Sequence, residues 1–443
     1  LNAACKLPAW KWKWNGTKLT TVALPQRSRP PLAVDIPASW LGQVVSPLET
    51  PPAADVPALI EAALAHPIAS PPLSRLARPG QTVAVIIDDF TRRTPAHLLL
   101  PPLLQQLLAA GIAPRDITLV TAPGTHRPMT TAEITAKTGA NLAAQYRVVN
   151  QPGSNPEAMV YLGEAANGIP AWVNRAVTQA DVRLGLGMIT PHMEAGFTGG
   201  AKIILPGVCS SATVDAFHVA SAYIPQNQLG RLDAPLRRAM EQFVAERVPL
   251  DFIVNVILTL TGEVFQCVAG HFINAHRAGV HYARQVYGAP ARRRYPVVIA
   301  NCYPYDLDLW QSIKGIWAGD LLTANGGTLI LAAAAPEGNS TYPLVPGYSG
   351  RPPADVLAEI ESGSAADAVQ AATGVMLRRL LQRINLALVS PGLTPADAQA
   401  MGVPYFDTVE AALNEAVNRL LPADRAGAVA VLPHGGVTLP LVA

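Results

Sequence analysis

Apolar residues in this chain gather into short, unbroken, β-branched runs, and the polar stretches between those runs predict alternating strands and helices. Residues 82–87 (TVAVII) form one such run, as a parallel strand buried on both faces requires. A helical stretch over 98–110 follows and stops at Gly111, a residue suited to ending a helix. Residues 117–121 predict a second strand and 182–188 a third. Strand–helix–strand alternation implies a doubly wound sheet, whose ligands lie beyond the carboxyl ends of its strands. That rule directs attention to residues 88–95, 122–130 and 189–207.

The pattern restarts near Arg292-Arg293-Arg294. Residues 296–300 and 327–333 read as new buried strands, 353–361 and 367–382 as helices, 386–390 as a strand and 408–420 as a helix. The stretch 427–443 reads as strand, turn, strand. The expectation is an α/β protein of two domains with mostly parallel sheets, residues 1–292 and 293–443, and an active site in the cleft between them. Residues 1–50 are proline-rich and predict an irregular lead-in to the first domain. Trp10, Trp12 and Trp14 alternate with lysines there, as in an edge strand or a tail.

Composition narrows the function classes. Of 443 residues, 50% are hydrophobic and 14% charged, which suits packed α/β domains and argues against disorder. The net charge of +2 gives no broad basic field for nucleic acid, so any anion site is local. Cys5, Cys209, Cys267 and Cys302 are widely separated and read as free thiols of a reducing, cytoplasmic compartment. The longest uncharged helical run, 97–113, is interrupted by Pro101 and Pro102 and is too polar to span a membrane.

Three segments carry candidate chemistry. Asp88-Asp89-Phe90-Thr91-Arg92-Arg93-Thr94-Pro95 leaves the first strand with carboxylates, hydroxyls and guanidinium groups together. It reads either as a charged loop with Thr94 capping the next helix, or as an anion site held by arginine. Residues 122–130 place His126 in a Gly/Pro turn at a strand end, a position suited to a general acid/base, and Thr130 with Glu133 forms a capping box. Residues 191–207 carry His192, the pair Gly199-Gly200, and Lys202, followed later by His218. Paired glycines let backbone approach a phosphate, and Lys202 can neutralise that phosphate or act as a nucleophile. His192 and His218 lack the spacing of a helical metal pair, so a histidine completing a metal carried mostly by a cofactor suits them better. His66, His97, His271, His281 and His434 read as structural or surface groups, as does His276, which the nearby Asn274 singles out for attention. Gln311 and Lys314 share one face of a predicted helix, either as site residues or as an exposed amphipathic first turn.

Taken together, DDFTRRTP (88–95), GTHRPMT (124–130), HMEAGFTGGAKIILPG (192–207), His218 and the Gln311/Lys314 pair resemble the nickel-pincer-nucleotide enzymes of the lactate racemase family. The resemblance covers most of residues 55–320 and continues more weakly to the C-terminus. It implies an isomerase that racemises or epimerises 2-hydroxy carboxylic acids by reversible hydride transfer through a 2-keto acid. The implied cofactor is the nickel-pincer nucleotide, nickel pyridinium-3,5-bisthiocarboxylic acid mononucleotide, loaded by cofactor-biosynthesis proteins. By the same resemblance His218 is the Ni(II) ligand, and His126 and His192 are the acid/base pair. Lys202 is the lysine that can join the cofactor covalently, a feature that varies within the family. Arg92, Gln311 and Lys314 bind the substrate, while Asp89, Thr91, Thr94, Gly199 and Gly200 line the ribose and phosphate. Arg93 stands where the family usually has proline, which predicts altered loop stiffness or an added anion contact. Alternatives are a sugar-acid epimerase or malate-type racemase with the same cofactor, a non-catalytic metal- or nucleotide-binding relative, and a metallohydrolase using His126, His192 and His218.

Overall fold

The structure, a computed structural model, describes residues 16–27, 29–124, 126–165, 168–339 and 342–443. Cys5 and the tryptophans at 10, 12 and 14 lie outside the described residues, as does Thr125. The chain divides into two compact units. One comprises residues 47–288 and 356–376; the other comprises the described part of 1–46 with 289–355 and 377–443.

The first unit is built on a six-stranded sheet of β1 (Val83–Asp88), β2 (Ile117–Ala122), β3 (Arg147–Val149), β4 (Val182–Met188), β5 (Phe252–Leu258) and β6 (Val264–Gly270), in the order β6-β5-β4-β1-β2-β3. All pairings are parallel except β5–β6. The unbroken apolar run of β1 has a simple cause. Val83, Val85 and Ile87 enter one core with Leu99, Leu103 and Leu107 of helix Ala96–Ala109, while Ala84 and Ile86 enter a second core with Phe217, Leu236 and Met240. Each face of the strand is therefore covered, and no polar position is tolerated until the strand ends. Gly185 of β4 also matters: a Cβ there would lie 2.8 Å from Ile203 Cγ2, so the glycine lets the segment bearing Lys202 pack directly on the sheet.

The second unit has its own sheet of β7 (Tyr295–Asn301), β8 (Thr323–Ala332), β9 (Asn385–Val389), β10 (Tyr405–Phe406) and β11 (Val429–Leu432), with strand Leu41–Val44 at one edge. The order is β10-β9-β8-β7-β11 and then Leu41–Val44, with every pairing parallel. The early residues are thus not irregular. Leu19–Gln26 and Arg29–Pro37 form an antiparallel hairpin, and their period-two residues Val22, Leu24, Val34 and Ile36 enter this unit's core beside Leu413 and Val417. Frequent prolines mask that alternation in the sequence. Among the described residues no helix is long and apolar enough to cross a membrane.

The hairpin is expected to be a structural part of the second unit. Ile36 is fully buried, so Ile36→Ala should cost about 2–5 kcal/mol. An unchanged urea midpoint, with unchanged slope, would contradict its place in the core.

Candidate active site

In the first sheet the strand order reverses at β1. The chain runs outward through β2 and β3, then returns to place β4 on the opposite side of β1. The loops after β1, β2 and β4 leave the same end of the sheet, where a doubly wound sheet opens a crevice.

The loop after β1 is held mainly by buried charge. Asp88 ends the strand; Lys137, on helix Thr131–Thr138, sits 2.7 Å from its Oδ1. The same ammonium donates to the carbonyls of Asp89 (3.1 Å) and Arg92 (2.9 Å), tying the loop to the helix. Thr94 donates to Asp88 Oδ2, and helix Ala96–Ala109 has no side-chain cap. The capping role read for Thr94 therefore gives way to a buried bond within the loop. Arg93 donates to the carbonyls of Leu260 (3.2 Å) and Thr261, fastening the loop to the β5–β6 turn. Arg93 thus makes a tether between the two loops.

Asp89 is the centre of the first functional cluster. Its Oδ2 meets His126 Nδ1 at 2.7 Å, and its Oδ1 accepts from the Thr91 hydroxyl (2.6 Å) and backbone N–H (3.2 Å). Burial by itself would raise the Asp89 pKa, but the hydrogen bond and charge of His126, with help from Thr91 and Arg92, hold it below the usual carboxylate value. An ionised carboxylate on Nδ1 requires a proton there, so Nε2 of neutral His126 carries the lone pair. Arg92 Nη1 donates to the Thr91 hydroxyl at 3.0 Å. Asp89 and Thr91, expected to line a ribose and phosphate, are engaged here in holding His126 and Arg92. The predicted Thr130–Glu133 capping box is present and starts the helix that carries Lys137.

The segment after β4 makes the second cluster. His192 Nδ1 accepts from the backbone N–H groups of Glu194 (3.2 Å) and Ala195 (3.3 Å). The Glu194 carboxylate, buried, meets Nδ1 of His218 at 2.9 Å; His218 lies on helix Ser211–Ser221, which Ser210 caps. Lys202 occupies the 3₁₀ turn Gly200–Ile203. Desolvation, chiefly, and then the nearby Arg92 push its pKa down to about 8, against the attraction of Glu194 and Asp89. Lys202 thus links the two clusters electrostatically.

Gly199 and Gly200 have φ of +79° and +59°. A Cβ at Gly199 would fall 2.7 Å from Asn255 Oδ1, and one at Gly200 3.0 Å from the Phe272 carbonyl. Close protein packing and the left-handed backbone account for this pair. Arg237, with no exposed surface, donates to the carbonyls of Ala195 (3.2 Å), Gly199 (3.1 Å) and Phe197. His276 Nε2 is 2.9 Å from the Thr198 carbonyl, and its Nδ1 is 3.0 Å from Arg277 Nη1. Burial first, then the neighbouring arginines, keep the His276 pKa well below its ordinary value, so it acts as a neutral support for the glycine turn. The roles of Lys137, Glu194 and Arg237 emerge only from the structure. Glu194 stood inside the most informative motif, but neither Lys137 nor Arg237 carried a local signal.

Gln311 and Lys314 belong to the second unit, on helix Leu309–Leu322, whose N-cap Asp308 accepts from Gln311 N at 2.7 Å. Lys314 Nζ donates to Gln311 Oε1 and sits 3.7 Å from the centre of the Tyr305 ring, while Trp310 stacks on Tyr342 at 4.0 Å. The shared helix face read from their spacing is present. Among the described residues no group of three His, Cys, Asp or Glu side chains is arranged to hold a metal ion.

A doubly wound sheet that gathers imidazole, amine and guanidinium groups beyond the carboxyl ends of its strands belongs to the class of α/β proteins that bind ligands at such a switch point. Comparison with known proteins narrows it. The family model of the lactate racemase N-terminal domain matches residues 28–230, and that of the lactate racemase C-terminal domain matches residues 294–439. The chain belongs to the lactate racemase family. It is 30% identical over 270 residues to a lactate racemase of Lactiplantibacillus plantarum, and 32% identical over 271 residues to one of Thermoanaerobacterium thermosaccharolyticum. Each match spans 60% of this chain and 63% of the relative's length. The solved lactate racemase apoprotein of T. thermosaccharolyticum superposes with a TM-score of 0.83 at 25% identity, covering 95% of this chain and 100% of that one. A Thermotoga maritima protein of solved structure shares the fold at 21% identity and a TM-score of 0.65.

The lowered pKa of Lys202 has a chemical signature. A lysine titrating near 8 is half neutral there, whereas an ordinary lysine is half neutral near 10.4. Acylation of Lys202, followed by peptide mass spectrometry, should rise through about pH 8, while surface lysines respond at higher pH. A common profile for all lysines would contradict the half-buried, charge-crowded setting.

Proposed function

We propose that this protein is an isomerase that interconverts the stereoisomers of a small 2-hydroxy carboxylic acid, with a lactate-like substrate. The observation that carries this reading is the Asp89–His126 pair beside Arg92: a base and a carboxylate-binding group fixed in one loop system. Family membership supplies the reaction class.

The reading includes the nickel-pincer nucleotide, and the donor set fits it. His218 has Nδ1 engaged by Glu194, which leaves the Nε2 lone pair as the metal donor. Lys202, with its lowered pKa, presents an amine suited to covalent attachment, while the turn around Gly199 and Gly200 supplies backbone beside it. When bound, the group supplies an acceptor and donor of hydride.

The protein's own residues then have defined tasks. Arg92 orients the substrate carboxylate by charge-assisted hydrogen bonds. The hydroxyl proton passes to Nε2 of His126, and Asp89 stabilises the resulting imidazolium through Nδ1. With the α-hydrogen given up as hydride to the bound group, the substrate would be a planar 2-keto acid that Arg92 holds by its carboxylate. Were hydride returned to the opposite face, a proton from His192 to the keto oxygen would complete the other stereoisomer. His126 and His192 each act as base for one stereoisomer and acid for the other. Moving hydride avoids building carbanion charge next to a carboxylate. By the same resemblance Gln311 and Lys314 contribute to substrate binding. The cofactor-biosynthesis proteins are the expected partners, and the cytoplasm the expected compartment.

Protein co-produced with the cofactor-making proteins and nickel should interconvert the enantiomers of lactate or another 2-hydroxy acid, followed by chiral chromatography. His126→Ala should lower kcat by about 10²–10⁴-fold, the range for losing a general acid/base. Asp89→Asn should lower kcat with little change in KM, because the ring loses its fixed tautomer. Full activity in both His126→Ala and His192→Ala would overturn the acid/base assignment.

A further inference from the structure

Among the groups near the switch point, Glu194 touches more of the candidate machinery than any function assigned to it explains. Its carboxylate Oε1 lies 2.9 Å from Nδ1 of His218. Its backbone N–H, 3.2 Å from Nδ1 of His192, donates there together with the N–H of Ala195. Its charge also acts on Lys202. The side chain is 3% exposed, so the carboxylate works in a setting where water does not compete for its bonds.

These contacts impose opposite states on two rings. An ionised carboxylate accepts hydrogen bonds only, so its partner nitrogen on His218 must carry a proton, and the lone pair of the neutral ring is on Nε2. A backbone N–H donates only, so Nδ1 of His192 must offer its lone pair, and the proton of that neutral ring is on Nε2. Glu194 therefore selects the tautomer of His218 through its side chain and, together with the Ala195 N–H, that of His192 through its main chain.

We infer that Glu194 is a positioning residue that presents the His218 Nε2 lone pair to the metal and holds His192 in the Nε2–H form. This rests on the nickel-ligand reading of His218 and deepens it. Carboxylate support of a ligating imidazole fixes the ring and strengthens it as a donor; loss of such partners weakens metal binding by about 10–100-fold. A second consequence concerns the acid/base pair. His126, with Nδ1–H on Asp89, has a basic Nε2, whereas His192 can offer a basic Nε2 only after releasing two N–H bonds. The two histidines begin the cycle unequal.

The test has two arms. In cofactor-free protein, ¹⁵N NMR of histidine-labelled material should show His218 and His126 as Nδ1–H tautomers and His192 as Nε2–H, assigned with single-histidine variants. Glu194→Gln should scramble the His218 tautomer and leave His126 unchanged; Glu194→Asp should restore part of the wild-type signature. In protein produced with the cofactor-making system, Glu194→Gln should retain about tenfold less nickel after dialysis against chelator, with an altered visible spectrum. An Nε2–H tautomer at His218 in the wild type overturns the inference even if every Glu194 variant fails to fold. So does a Glu194→Gln variant that keeps both the His218 signature and the wild-type nickel content. If the tautomers are as expected but the wild type takes up no nickel, the metal-ligand reading fails while the positioning by Glu194 stands.

Discussion

The parallel ladder between β1 and β4 is the contact on which the rest of the first unit depends. Residues about a hundred positions apart, from Val83 opposite Val182 to Ile87 opposite Leu186, are joined there by backbone hydrogen bonds. The ladder brings the loop of Asp89 and Arg92 beside the segment of His192 and Lys202. A one-residue slip would turn Ile86 and Ile87 toward each other's cores and displace every group beyond the strand ends. Both faces of β1 are buried in distinct cores, so that slip is strongly disfavoured.

Above this frame, buried charges add to the apolar packing that holds the loops. Lys137 gathers the loop after β1 and Arg237 the loop after β4, each through several backbone carbonyls. Buried ions add little net stability, because the loss of hydration offsets the attraction. What they contribute is definition. A guanidinium with three carbonyl acceptors admits few alternative loop conformations, and catalytic groups need placement within a fraction of an ångström. Arg237 has its pKa lowered to about 10 by that burial, yet remains charged at neutral pH.

The sequence was most legible where the determinant is local. Continuous apolar runs revealed β1, β2 and β4, and the Thr130–Glu133 pair revealed a helix start. Local reading failed where partners are remote. The Thr94 hydroxyl looked like a helix cap, but the carboxylate six residues earlier takes it. Asp89 was visible as a site residue, whereas its partner His126, thirty-seven positions away, was read separately. Arg237 on an amphipathic helix looks like any solvated arginine until the loop it holds is known. The early hairpin failed for another reason: proline-rich composition outweighed a period-two pattern of only four buried residues.

The edge strand Leu41–Val44 has a consequence in time. Its sheet neighbour is β11, Val429–Leu432, nearly four hundred residues later. At a synthesis rate of 5–20 residues per second, roughly 20–80 s separate the emergence of the two strands. Throughout that interval the edge strand lacks its sheet neighbour, while the Leu19–Pro37 hairpin first meets core partners such as Val297 and Ile299 only after the first sheet has been made. Order of manufacture and order of assembly therefore differ in this chain. Its earliest described segment is among the last to complete its contacts.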